Sequence, residues 1–135
     1  MSAILGLELN EVEEICQQAA QGEVVSPANV NSPAQIVIAG HQEAVARADI
    51  LARKYGAKRV LPLAVSAPFH CSLMKKSTEI MNNEINNTQF NNPQPNIISN
   101  VTATEQKDKN MIKKLLIEQI ENRVRWKESI NYMIS

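Results

Sequence analysis

Gln35-Ile36-Val37-Ile38-Ala39-Gly40 is an apolar run closed by a glycine, and behind it, across residues 42–55, Ala44, Val45, Ala48, Leu51 and Ala52 recur until Gly56. A short β-branched run bounded by turn residues predicts a strand, and apolar residues at i, i+3, i+4 spacing predict an amphipathic helix. The same pairing lies upstream. Ala3-Ile4-Leu5-Gly6-Leu7 is a strand candidate, followed by a helical stripe of Val12, Ile15, Cys16, Ala19 and Ala20 that Gly22 stops. Asn10 followed by Glu13 has the spacing of a cap with its acidic partner. Val24-Val25 is a further strand candidate, predicted to pair antiparallel with residues 35–40 through the polar, proline-punctuated connection 26–33. Residues 59–65 supply the last strand, with Val60 to Val65 read as buried. Residues 1–65 therefore read strand, helix, strand, strand, helix, strand, the order of a ferredoxin-like βαββαβ unit.

Next comes Val65-Ser66-Ala67-Pro68-Phe69-His70-Cys71-Ser72-Leu73-Met74, which puts one of the two histidines between the predicted strand and a helix. Pro68 fixes its own φ and holds Ala67 extended, so the chain turns just before the imidazole. Loops on a rigid scaffold commonly carry catalytic groups, and imidazole is the side chain suited to proton transfer near neutrality. A hydrogen-bonded structural histidine fits the same residues equally well. Beyond it, Leu73, Met74, Ile80, Met81 and Ile85 mark a polar helix, and Ile97-Ile98-Ser99-Asn100-Val101 an apolar strand that needs neighbours. Residues 108–121, with Met111, Ile112, Leu115, Leu116 and Ile120, predict another helix, and Ile130, Met133 and Ile134 a last one without a stop signal at Ser135. The reading is a chain that is cut, with a second subdomain beginning after residue 65 and missing partners on one or both sides.

Composition narrows the function. A formal net charge of +0, no basic run and 4% aromatic residues argue against nucleic acid or an acidic membrane as partner. No stretch approaches the roughly 18 to 20 apolar residues of a membrane span, and the N-terminus lacks a basic signal region. Cys16 and Cys71 have no CxxC spacing, which favours reduced thiols and a cytoplasmic location. No metal site is expected, because His70 and Cys71 are adjacent and no second pair has ligand spacing. Adjacency also argues against Cys71 as a nucleophile with His70 as its base. His41, at a helix start, reads as a cap or surface residue. The 4 glycines are scattered, with no phosphate cradle, and no cofactor is expected. Asn29 and Asn31, in the proline-bounded connection, either satisfy turn backbone or face a cleft containing the histidine.

These residues also carry a resemblance. The stretch from Val25-Ser26-Pro27-Ala28-Asn29-Val30-Asn31-Ser32-Pro33 to Gly40, then Ala57-Lys58-Arg59, Leu61-Pro62-Leu63-Ala64-Val65-Ser66-Ala67-Pro68-Phe69-His70-Cys71, Asn100-Val101-Thr102-Ala103 and Val124-Arg125-Trp126, resembles the malonyl-CoA:acyl carrier protein transacylases of bacterial fatty acid synthesis. It resembles only the middle of such an enzyme. The resemblance implies a ferredoxin-like small subdomain, residues 1–65, followed by part of an α/β-hydrolase-like large subdomain, residues 66–135, carrying the catalytic histidine. It implies that a serine in a GHSxG elbow attacks the malonyl thioester, that the histidine corresponding to His70 takes its proton, and that an arginine holds the malonyl carboxylate. Malonyl-CoA and acyl carrier protein are then the partners, and the malonyl group passes to the phosphopantetheine thiol. Phe69 matches a position where malonyl-selective members carry a bulky ring, which disfavours an α-methyl branch by about 1 to 3 kcal/mol. Asn31, and with it Asn29, are implied to line the substrate gorge.

The 135 residues contain neither GHSxG, nor the matching arginine, nor a C-terminal glycine-proline-glycine segment. The expectation is that this polypeptide alone is inactive, and that His70 lacks the acceptor that orients its ring. Two other readings stay open. One is a stand-alone ferredoxin-like binding module using residues 29–33 as its ligand surface, and the other is a homo-oligomer pairing through an exposed edge near Ile97.

Overall fold

Ile4, Ile36, Ile38 and Val60 alternate with residues of the opposite face along their strands, and that period of two decides which side of a sheet the helices cover. The structure, a computed structural model, describes residues 1–135. Strands β1 (Ser2–Leu5), β2 (Val25–Ser32), β3 (Gln35–Gly40) and β4 (Arg59–Pro62) form one antiparallel sheet in the order β2-β3-β1-β4. Ile4 of β1 stands opposite Ile36 of β3 and Val60 of β4. Helices α1 (Leu9–Ala20) and α2 (Gln42–Lys54) link β1 to β2 and β3 to β4. Val12, Ile15, Cys16 and Ala19 of α1 meet Ala44, Val45, Ala48 and Ala52 of α2 and the four strand residues in one core. Alanines on α2 let it lie close to α1. The buried isoleucines contribute most, at about 1.5 to 3 kcal/mol each for complete burial.

Several local expectations shift. Helix α1 starts at Leu9, not after Asn10: Glu8 is the cap, and its N–H donates to Glu11 Oε2 at 2.8 Å. That acidic pair has the required spacing two residues earlier, and starting there lets Leu9 pack against the core. The predicted connection 26–33 is mostly strand. β2 runs through Pro27 to Ser32 with register shifts between Pro27 and Asn29 and between Val30 and Ser32, and only Pro33 and Ala34 make the turn. Proline is tolerated because β2 is at the sheet's edge. The predicted buried strand 60–65 ends at Pro62, and only Val60 is buried, because β4 is the other edge and nothing pairs with its outer side.

The second half comprises a 3₁₀ turn (Ser72–Met74), α3 (Lys75–Asn87), β5 (Ile97–Ile98), β6 (Glu105–Gln106), α4 (Lys109–Gln119) and α5 (Trp126–Ile134). The apolar strand near Ile97 is shorter than expected and is not alone: β5 and β6 pair antiparallel as a hairpin. Asp108 caps α4, its Oδ1 accepting from the N–H groups of Asn110 and Met111 at 3.0 and 2.9 Å. Helix α3 buries only Ile85 and leaves Ile80 exposed. The two halves are joined along β2. Val124 donates its N–H to Ala28 O at 2.8 Å and accepts from Val30 N–H at 2.9 Å, which closes the middle of that edge. Arg123 adds an ion pair to Glu13 of α1 at 2.8 Å. The result is a mixed α/β chain of five α-helices and a small antiparallel sheet. No helix is long and apolar enough to cross a membrane.

Candidate active site

Where the chain leaves β4 it crosses the sheet face opposite α1 and α2, and Cys71 locks it there. Cys71 is buried against Ala28 and Ala39, and its thiol donates to Pro68 O at 3.2 Å. This lock holds His70 in the left-handed region, with φ of 60°. A non-glycine residue is uncommon there and costs on the order of 1 to 2 kcal/mol, which the surrounding contacts must offset. One such contact is to the ring. His70 Nδ1 lies 3.0 Å from the main-chain oxygen of Gln119, the last residue of α4. A carbonyl oxygen only accepts, so Nδ1 carries the hydrogen in the neutral ring and Nε2 keeps its lone pair. The expectation that His70 lacks an orienting acceptor is therefore corrected. The acceptor is a backbone atom at a helix end, where carbonyls have no partner within the helix.

A cleft of about 370 Å³ opens beside this ring, and Asn29, Asn31, Phe69 and His70 all line it, with Gln35, Val37, Leu63 and Val65. The irregular pairing of β2 explains the asparagines. Val30 points into the helix-covered core, whereas Asn29, opposite Val37, lines the cleft, as does Asn31 at the second register shift. Both amides thus lie on strand and not in a turn, and neither side chain hydrogen-bonds within the chain, so their donors and acceptors are free for a bound molecule. Phe69 is 42% exposed and forms part of the cleft wall. Gln35, from the first position of β3, is a polar lining residue that its sequence context did not single out. Had β2 been recognised as strand as far as Ser32, its pairing of Ser32 with Gln35 would have pointed there.

Other candidates resolve into structure. His41 caps α2, and its Nδ1 accepts from Val24 N–H at 2.9 Å. Cys71 bonds Pro68 O and not His70, so the two neighbours do not form a nucleophile and base. Burial pushes the Cys16 thiol up to about 12, with the Glu13 carboxylate adding to the effect, and Cys71 is also raised, chiefly by burial. Both cysteines are free and buried. No group of three or more His, Cys, Asp or Glu side chains is placed to hold a metal ion.

Known proteins share this fold. No family model matches the chain. The malonyl CoA-acyl carrier protein transacylase of Escherichia coli K12 is 44% identical over 133 residues, 98% of this chain and 43% of its own length. The protein of the same name from Staphylococcus aureus strain COL is 37% identical over 135 residues. This chain is homologous to part of the malonyl CoA-acyl carrier protein transacylases. It spans about 43% of the length of those relatives. The structure of the Coxiella burnetii transacylase superposes with a TM-score of 0.97 at 41% identity, covering 98% of this chain and 42% of that one. A malonyl-transacylase solved in complex with a type II polyketide synthase acyl carrier protein superposes at 0.96 with 40% identity, over 98% of this chain and 43% of that one.

Proposed function

We propose that this chain supplies the proton-transfer side of a malonyl-CoA:acyl carrier protein transacylase site, with His70 as general base. The observation that carries this is the bond from Nδ1 to Gln119 O, which leaves the Nε2 lone pair free beside the Asn29, Asn31 and Phe69 cleft. In the proposed reaction a serine on polypeptide outside these 135 residues gives its proton to Nε2 as its oxygen attacks the malonyl thioester. Coenzyme A leaves as a thiol after taking that proton back. The phosphopantetheine thiol of acyl carrier protein then loses its proton to His70 and attacks the malonyl-serine ester, and the serine oxygen recovers the proton. Positive charge on the ring during each transfer faces the carbonyl end of α4, where the helix dipole is favourable to it. Asn29 and Asn31 orient the substrate, and the Phe69 ring limits bulk beside the malonyl α-carbon.

In this reading residues 1–65 are the ferredoxin-like small subdomain and residues 66–135 belong to an α/β-hydrolase-like large subdomain. The role is in fatty acid synthesis, in the cytoplasm. The Val124 bridge to β2 favours this over a stand-alone binding module, because the first half does not close its own edge. The 135-residue chain alone is expected to transfer no malonyl group. A longer polypeptide containing it and a GHSxG serine is expected to do so, with His70→Ala lowering kcat by about 10² to 10⁴. Transfer by the purified 135-residue chain that His70→Ala abolishes would overturn the shared-site reading. Unchanged kcat in the longer variant would remove His70 as the base.

A further inference from the structure

Gln119 is held by more than its helix. Asn100 Nδ2 donates to Gln119 Oε1 at 3.4 Å, and Asn100 O accepts from Arg125 N–H at 3.1 Å. The Arg125 guanidinium reaches the rest of the same turn, donating from Nη1 to Val101 O at 3.1 Å and to Thr102 O at 3.2 Å. Its Nε and Nη2 are paired with the Glu128 carboxylate, which fixes the plane of the fork. The backbone contact onto Gln119 O from its own helix end is of the same length as the Asn100 bond, with Asn122 N–H 3.4 Å away. The carbonyl that orients His70 thus lies at a helix end closed by i to i+3 bonds of 3.3 to 3.4 Å, and the Gln119 side chain ties that end to the β5–β6 turn.

We propose that Asn100 is a positioning residue for His70, acting through Gln119, with Arg125 holding the turn from which Asn100 reaches. This rests on the reading of His70 as the base, but what it asserts is narrower: the Asn100–Gln119 side-chain pair selects the ring tautomer with Nε2 unprotonated. If the pair is lost, the end of α4 shifts, the Nδ1 bond lengthens, and the ring is free to place its hydrogen on Nε2. In that tautomer Nε2 has no lone pair to receive a proton, so the loss falls on kcat and not on substrate binding.

The two amides allow an isosteric test. Asn100→Asp keeps a bond because the Gln119 amide rotates to donate to the new carboxylate, and Gln119→Glu keeps one because the Asn100 amide donates to it. The double variant sets two acceptors against each other and keeps none. Two-bond ¹⁵N–¹H spectra of the ¹⁵N-histidine-labelled 135-residue chain, at a pH where the ring is neutral, read the tautomer directly. The wild type and both single variants are expected to show Nδ1 protonated, and the double variant to show a shift toward Nε2–H. Asn100→Ala, which adds no charge, is expected to shift the same way, and backbone amide spectra show whether each variant retains the fold. An unshifted tautomer in folded Asn100→Ala or in the folded double variant would overturn the proposal, as would an equal shift in the single variants. A wild-type ring protonated at Nε2 would instead overturn the reading of His70 on which it rests.

Discussion

Replacing Gly40 by alanine is predicted to be among the most damaging single-methyl additions to this fold. A Cβ built there lies 2.1 Å from Val24 O and 2.6 Å from Val25 Cα, whereas ordinary contact begins at 3.4 Å. Both obstacles are backbone at the start of β2, so the strand must retreat by the difference between 3.4 and 2.1 Å or the sheet must open. Two hydrogen bonds cross that gap: His41 N–H to Val24 O at 2.8 Å, and Val24 N–H to His41 Nδ1 at 2.9 Å. Losing both costs about 2 kcal/mol. Overpacking adds about 1 to 3 kcal/mol, for a predicted loss of about 3 to 5 kcal/mol, a large share of a typical domain's stability. Gly22→Ala is the matching control, since its Cβ meets nothing within 4 Å and only its φ of +87° opposes the side chain. That costs about 1 to 2 kcal/mol. Urea unfolding followed by circular dichroism and by the fluorescence of Trp126, the single tryptophan, measures both. A Gly40→Ala loss under 1 kcal/mol, or one no larger than that of Gly22→Ala, would refute the steric reasoning.

Val124→Pro removes the N–H that satisfies the buried Ala28 carbonyl, so a loss of about 1 to 3 kcal/mol is expected, with hydrogen exchange at Val30 rising more than at Ile4. Cys16, held up to about 12 by burial, is expected to react with a disulfide reagent at pH 8 only on unfolding. Its protonated form is the one the fold favours, so stability present below its ordinary value of 9.0 is lost as the pH rises toward 12. Asp49 has the same sign at lower pH. Burial raises its carboxyl against the opposing effects of Ser2, Arg53 and the amino terminus, and its Oδ1 has no hydrogen-bond partner. The stabilisation is complete below the ordinary carboxylate range and fades as pH rises through the raised value. Asp49→Asn is therefore expected to gain stability relative to wild type between about pH 4 and neutrality, as thermal unfolding across that range would show.

The parts of the fold legible in sequence are those decided by neighbours in the chain. The stripes of α1 and α2 and the apolar run of β3 predict elements that the structure contains, because period and turn residues are local signals. The start of β2 at Val25 and its antiparallel pairing with β3 are legible too, but the rest of that strand is hidden for the opposite reason. Pro27, Asn29 and Asn31 look like a connection, and they become strand only because β3 pairs on one side and Val124, distant in sequence, on the other. The burial of residues 60–65 is overestimated on the same grounds: Leu61, Leu63 and Val65 are apolar enough for a buried strand, but burial requires a neighbour that local pattern does not report.

The candidate site shows the same division more sharply. Histidine and asparagine announce their chemistry by residue type, so His70, Asn29 and Asn31 could be singled out before any geometry was known, whereas Phe69 is singled out by the family resemblance alone, and one cleft contains all four. Gln119 could not be, because what it offers is a main-chain oxygen, and every residue has one. What makes that oxygen available is its place at the end of α4, and what brings it to His70 is the strap from Gln119 to Arg125, which binds β2 through Val124 and the β5–β6 turn through Arg125. The same short segment thus joins the two halves and orients the imidazole. A substitution that loosens the strap should therefore disturb the ring before it unfolds either half, and the tautomer of His70 is the more sensitive measure of whether the halves are correctly docked.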